Sequence, residues 1–172
     1  DKIDLKQQHR ALYAPSAKEP AIIDVPTFQF LQIDGQGNPA HNPAYPEAVS
    51  TLYTAAYALK FAVKKQTGID FAVMPLEGLW WMADGSIVSD DNKDFWSWTM
   101  MILQPEWVTA ALWDEILPEV RKKKAPARLD ALRLESYEEG LSVQLLHLGA
   151  YTDEHANIMR MHAYALGQGH AL

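Results

Sequence analysis

Glu77 is the residue whose surroundings could do chemistry. It lies in the most apolar and aromatic run of the chain, Met74–Met82, which reads M-P-L-E-G-L-W-W-M. In an extended segment, side chains alternate between faces. Glu77, Leu79 and Trp81 then share one face, and Met74, Leu76, Gly78, Trp80 and Met82 share the other. A carboxylate beside an indole on a half-buried strand is costly unless something pairs it or uses it. Burial there would raise its pKa, because desolvation disfavours the charged form. Such a carboxyl can protonate a leaving oxygen or activate a water. If it stays charged it attracts a cation, and if it sits at the rim it pairs with a lysine.

Other chemistries find less support. His155 and His162 are seven apart and so fall on one side of a helix, with His147 nearby, but no third ligand has metal-site spacing. No P-loop, G-x-G-x-x-G or G-x-S-x-G is present. The chain has no cysteine, which removes disulfides, thiol nucleophiles and thiolate metal sites. No metal and no cofactor is expected.

Several elements must position Glu77. Residues 1–26 read as an irregular lead-in, broken at Pro15, Pro20 and Pro26. Thr27–Asp34 alternates as a strand, with Phe28, Phe30 and Gln32 on one face. A loop from Gly35 to Pro46 could rim a site. Pro46–Lys65 is the clearest helix. Its stripe is Val49, Leu52, Tyr53, Ala56, Leu59 and Val63, with Gly68 just beyond. The Glu77 strand follows, taken as Val73–Met82. Phe95–Gln104 is next, with Trp96, Trp98, Met100 and Ile102 on one face. Pairing of these two strands would bring several of the six tryptophans together.

A second helix is expected from Pro105 to about Lys124, with Pro118 awkward inside it and a basic end at Arg121–Lys124 that complements the helix dipole. Leu132–Tyr137 and Leu141–Gly149 read as strands joined by a tight turn at Glu138-Glu139-Gly140. A third helix is expected from about Asp153, as N-cap, to Gly167. The first half therefore runs strand, helix, strand, strand. The second runs strand, helix, and the sequence ends. The repeat predicts two further strands, whose lack would leave an open sheet edge and an uncovered helix.

The 172 residues suit one domain, 1–172, with a substantial core. A net charge of −7 argues against a broad nucleic-acid face, which needs a basic patch. The charged start, D-K-I-D-L-K-Q-Q-H-R, has no signal-peptide core, and no apolar run approaches the roughly 20 residues of a membrane span. A cytoplasmic protein fits, with neither nucleic acid nor membrane as partner. Its oligomeric state is open, and a dimer is compatible.

At this point the residues resemble the stand-alone branch of the GyrI-like small-molecule-binding family. Pro75-Leu76-Glu77-Gly78-Leu79-Trp80-Trp81 is the most specific stretch. Lys18-Glu19-Pro20, Ile23-Asp24-Val25-Pro26 and Ile33-Asp34-Gly35-Gln36-Gly37-Asn38-Pro39 also match. So do Asp94-Phe95-Trp96-Ser97-Trp98, Gln104-Pro105 with Val108-Thr109, Glu139-Gly140 with Val143-Gln144, and His147-Leu148-Gly149-Ala150-Tyr151. The resemblance spans nearly the whole chain. It implies an α+β fold of two strand–helix–strand–strand modules around a pseudo-twofold axis. The modules form an antiparallel sheet with helices on one face and a cleft for bulky aromatic, often cationic, compounds. The family continues past the third helix with a strand of the form H-H-E-I-Y-L-S-D and one more. That glutamate is the counterpart of Glu77, and Gly169-His170-Ala171-Leu172 stands where the segment should begin.

Relatives include effector domains of multidrug-sensing regulators, a DNA gyrase inhibitor and stand-alone hydrolases that open the cyclopropane of DNA-alkylating natural products. The resemblance therefore implies a detoxifying hydrolase, with Glu77 as acid or base, and Tyr151, following the second-half Gly149, is the residue placed to supply a hydroxyl to the pocket. The expected ligand-binding lining is Trp81, Leu79, Trp98, Trp96, Phe30 and Met100. A sequestering or sensing protein without chemistry, and a gyrase-modulating partner, are the other two readings.

Overall fold

The computed structural model describes residues 2–172. In chain order the elements are the single turns α1 (Leu5–Gln8) and α2 (Arg10–Tyr13), strands β1 (Ala21–Val25) and β2 (Phe28–Gln36), helix α3 (Ala44–Thr67), β3 (Glu77–Met82), β4 (Trp96–Gln104), α4 (Ala110–Lys123), β5 (Arg133–Tyr137), β6 (Gly140–Gln144) and α5 (His155–Gly167). Short 3-10 turns occupy Asp90–Phe95, Leu129–Ala131 and Tyr151–Asp153. The fold is α+β, and the chain divides into two compact units, residues 2–5 with 28–136 and residues 6–27 with 137–172.

The first unit is built on a four-stranded sheet in the order β3-β4-β2-β5. β4 is antiparallel to both β2 and β3. Helix α3 packs on β2, β4 and α4. Its stripe explains how it lies so close: Ala48, Leu52, Ala55, Ala56, Leu59 and Val63 are buried, and half of these are alanine. Pro46 sits in the first turn, where its missing N–H has no intrahelical partner to lose. The helix stops at Gly68, whose φ of 76° is left-handed and whose N–H donates to the Lys64 carbonyl.

The chain leaving α3 is tied down by a buried lysine. Lys60 is 7% exposed. Its ammonium donates to Asp70 Oδ1 at 2.6 Å and to the Phe71 carbonyl, and Lys64 donates to Asp70 Oδ2 at 2.8 Å. The Asp70 carboxyl is lowered to about 2 by the hydrogen bond from Lys60 and then that from Lys64. Phe71 also bridges to Ile3. From there the chain runs to β3, which begins at Glu77 and not at Val73 as expected.

Helix α4 starts later than expected, at Ala110, because Thr109 is its N-cap and accepts from the Leu112 N–H at 3.1 Å. Pro118 is accommodated because it lies on the exposed side. The Asp114 carbonyl that loses its helical donor there also lies on a solvent-facing turn.

The second unit contains a two-stranded antiparallel sheet, β1 with β6, and α5 packs on β6. Three expectations are corrected here. Residues 1–26 are not uniformly irregular: Ala21–Val25 is a strand, and Pro20 and Pro26 bound it without interrupting it. Leu132–Tyr137 and Leu141–Gly149 do not form a hairpin. β5 joins the four-stranded sheet and β6 pairs with β1, and the chain turns away at Gly140, where φ is 71°. Asp153 is not the N-cap of α5: it closes a 3-10 turn, and α5 follows Glu154 with no side-chain cap. The single expected sheet is therefore two sheets.

Candidate ligand-binding face

The register of β3 on β4 decides which side chains meet. Trp80 stands opposite Trp98, Gly78 opposite Met100 and Met82 opposite Trp96. One strand further, Gly35 stands opposite Trp98 and Ile33 opposite Met100. All of these lie on the face that α3 covers. Tyr45 of α3 sits 5.9 Å from Trp80 and 5.6 Å from Trp98, and Trp80 is 5.4 Å from Trp96, edge to face. Trp98 is 0% exposed and donates its indole N–H to the Gly37 carbonyl at 3.2 Å. Trp96 donates to Asn92 Oδ1 at 2.7 Å.

The opposite face carries Glu77. Glu77 stands across from Met101, Leu79 across from Thr99 and Trp81 across from Ser97. On β2, Gln32 stands across from Met101, Asp34 from Thr99 and Phe30 from Leu103. Glu77, Leu79, Trp81, Met101, Thr99 and Phe30 thus share one side of the first unit's sheet. Met101, Thr99, Gln32 and Phe30 are buried, Glu77 and Leu79 are half-buried, and Trp81 is 42% exposed. The structure therefore divides the expected lining. It brings Glu77, Leu79, Trp81 and Phe30 together. It places Trp96, Trp98 and Met100 on the helix-covered side, where they cannot touch a molecule lying against Glu77.

Beside these side chains is a polar cluster. Arg133 donates from Nη1 to Asp34 Oδ2 at 2.9 Å, from Nη2 to Asp34 Oδ1 at 3.2 Å and Gln32 Oε1 at 3.1 Å, and from Nε to Glu135 Oε2 at 2.8 Å. Thr99 donates to Asp34 Oδ1 at 2.6 Å. Burial pushes the Asp34 carboxyl up, but the hydrogen bonds from Thr99 and Arg133 and the Arg133 charge outweigh it, so its pKa is lowered. Burial likewise pulls on the Arg133 guanidinium, but its hydrogen bonds to Asp34 and Glu135 outweigh that and raise its pKa. An ionised, forked cation is thus held on the same face as Glu77.

Tyr151 belongs to the second unit and is 87% exposed. Its loop is pinned from behind. His147 Nε2 bonds the Ala150 carbonyl at 2.8 Å, which makes Nε2 the protonated nitrogen, and Nδ1 accepts from Asn157 at 2.9 Å. Asn157 Oδ1 in turn accepts from Arg160 at 3.0 Å. His155 and His162 both lie on α5, and among the described residues no three His, Asp or Glu side chains are grouped to hold a metal ion.

With this geometry in hand, three solved structures are similar. A conserved protein of uncharacterised function from Listeria innocua is 34% identical, with a TM-score of 0.89 over 98% of this chain and 82% of its own. A hydrolase from Listeria innocua is 34% identical, with a TM-score of 0.83 over 98% and 85%. A second hydrolase structure from that organism is 33% identical, with a TM-score of 0.85 over 98% and 82%. The chain belongs to the family of these Listeria proteins. No family profile and no curated protein sequence matches it.

Within this family member, sequence reasoning missed the polar half of the face: Asp34, Thr99, Gln32 and Arg133 as a connected group. Asp34 and Thr99 each carried a faint signal, a polar residue on the alternate face of an otherwise apolar strand. Arg133 carried none, because nothing local says which sheet β5 will join. No helix of the described residues is long and apolar enough to cross a membrane.

Proposed function

We propose that this chain is a GyrI-like protein that binds planar aromatic molecules on the Glu77 face and hydrolyses electrophilic ones, opening the cyclopropane of DNA-alkylating compounds. The observation that carries the reading is the register that sets Glu77, Leu79 and Trp81 of β3 beside Thr99 and Met101 of β4, on the side away from α3. An exposed Trp81 indole beside half-buried Leu79 suits a flat ring system. A carboxylate at its edge suits activation of one water. The hydrolase description of two 33–34% identical relatives supports water as the co-substrate.

Glu77 takes a proton from water as the oxygen bonds to the ring carbon. Trp81, Leu79 and Phe30 hold the ring system. Trp96, Trp98 and Met100 support the face from behind. A duplicated fold over 1–172 as one functional domain, and a cytoplasmic location where such electrophiles meet DNA, belong to the same reading.

The test is mass spectrometry of a duocarmycin-type cyclopropane compound incubated with the purified protein, with Glu77→Gln alongside. A gain of one water that Glu77→Gln abolishes supports the hydrolase. Unchanged compound with quenched tryptophan fluorescence would overturn the chemistry and leave a drug-binding protein.

A further inference from the structure

We propose that His147 is a proton-operated catch in the second unit: neutral, it fastens the turn that carries Tyr151 to helix α5, and protonated, it lets that turn go. The inference stands apart from the chemistry of Glu77.

The direction of the hydrogen bonds carries the argument. They form a chain with a fixed sense. At one end Arg160 can only donate, and its Nη1 gives a hydrogen to Asn157 Oδ1 at 3.0 Å. That contact orients the Asn157 amide. Its Nδ2 therefore points the other way and donates to His147 Nδ1 at 2.9 Å. At the far end the Ala150 carbonyl can only accept, and it takes the hydrogen of His147 Nε2 at 2.8 Å. The ring is held between a donor and an acceptor. That suits neutral imidazole, which has one hydrogen and one acceptor nitrogen.

An imidazolium has an N–H on both nitrogens and no acceptor. The added hydrogen, on Nδ1, would face the amide hydrogens of Asn157. Turning the amide over would answer that, but would aim the same hydrogens at Arg160. Among the described residues, no carboxylate bonds either ring nitrogen in place of the amide. The titratable groups on the segments that meet here are Arg160, His155 and His162 on α5, Tyr151, Asp153 and Glu154 in the turn before it, and Lys18 and Glu19 in the lead-in. Of these, Arg160 is the one bonded into the chain, and its charge opposes a second cation. On protonation the ring therefore stays with Ala150 and leaves α5.

One tie matters because this unit has little else. Among its described residues, Ala165 alone is buried. Apolar burial is the main stabiliser of most folds, so polar ties carry a larger share here. They converge on the same place. Arg160 Nη2 also donates to the Lys18 carbonyl, and the Leu146 N–H, one residue before His147, donates to the Ser16 carbonyl at 2.9 Å. The catch sits where the lead-in, the turn and α5 are joined.

The experiment is amide hydrogen exchange of the full chain, followed by NMR and corrected for the intrinsic effect of pH. Lowering the pH from about 7.5 to about 5, across the range in which histidine takes up its proton, should cut protection through residues 147–153 by about tenfold, with α3 unchanged. Asn157→Asp should reverse the sign, because a carboxylate can accept from Arg160 and from an imidazolium together. Protection in that variant should rise as pH falls, which a purely structural asparagine would not produce. If Asn157→Asp fails to fold, Arg160→Met carries the test. It frees the amide to turn over, so acid should no longer lower protection. Wild-type protection that is the same at both pH values, or a fall in either variant as large as in wild type, overturns the catch. An equal fall across α3 overturns it too, since acid would then be acting on the whole chain.

Discussion

Gly35 and Trp98 are cross-strand partners, and the indole fills the space where a Gly35 side chain would be. A Cβ built on Gly35 would lie 2.0 Å from the ring. That contact is impossible without moving either the strand or the tryptophan, and Trp98 is wedged against Tyr45 on its other side. Gly35→Ala should therefore destabilise the protein by about 1–3 kcal/mol, the usual cost of overpacking a filled core. Chemical denaturation reads the change directly. A shift below about 0.5 kcal/mol would mean that the ring moves aside freely.

The two indole populations should report separately. Trp81 is on the Glu77 face and half-exposed, whereas Trp98 is enclosed. Trp81→Phe should remove most of the fluorescence quenching caused by a bound aromatic and weaken its affinity by about tenfold or more, in keeping with the worth of an aromatic contact. Trp98→Phe should lower stability yet keep the quenching. Loss of quenching in Trp98→Phe with retention in Trp81→Phe would place the ligand on the helix side of the sheet.

Acid should loosen the anchor below α3. The Asp70 carboxyl is lowered to about 2, below the usual unfolded value near 4. A depressed carboxyl stabilises the fold fully above its unfolded pKa and ceases to do so as pH falls through the folded one. The Lys60–Asp70 and Lys64–Asp70 pairs should therefore contribute fully above about pH 5 and be lost between about pH 4 and pH 2. The melting temperature of Asp70→Asn should converge with that of wild type across this window. Parallel curves from pH 7 to pH 2 would show that the pairs contribute nothing.

The loop before Tyr151 depends on one asparagine. Asn157 donates to His147, which holds the Ala150 carbonyl. Asn157→Leu has similar size but no donor. It should speed amide exchange through residues 147–153 by about tenfold, with exchange in α3 unchanged. Equal exchange in the variant would show that the loop is held by other contacts.

Thr109 offers a plain check of local structure. Its hydroxyl caps α4 by accepting from Leu112. Thr109→Ala should cost about 1 kcal/mol and Thr109→Ser close to nothing, seen in thermal melts. Equal losses in both variants would point to the methyl group instead.

Local rules were enough for part of this protein. Alternation placed Glu77, Leu79 and Trp81 on one side of their strand, and put Trp96, Trp98 and Met100 on one side of theirs. Helical spacing, Pro46 and Gly68 located α3 to within two residues at each end. These follow from steric and hydrogen-bonding preferences that a few neighbouring residues decide among themselves. The tertiary structure alone decided the rest. Whether Trp98 or Thr99 shares a face with Glu77 depends on the register between β3 and β4, and a slip of one residue reverses it. Whether Arg133 lies beside Asp34 depends on β5 joining β2, a pairing across about a hundred residues. The Glu77 face could be half foreseen because its carboxylate and indole are adjacent in the chain. Its arginine could not be, because only the closing of the sheet brings it there.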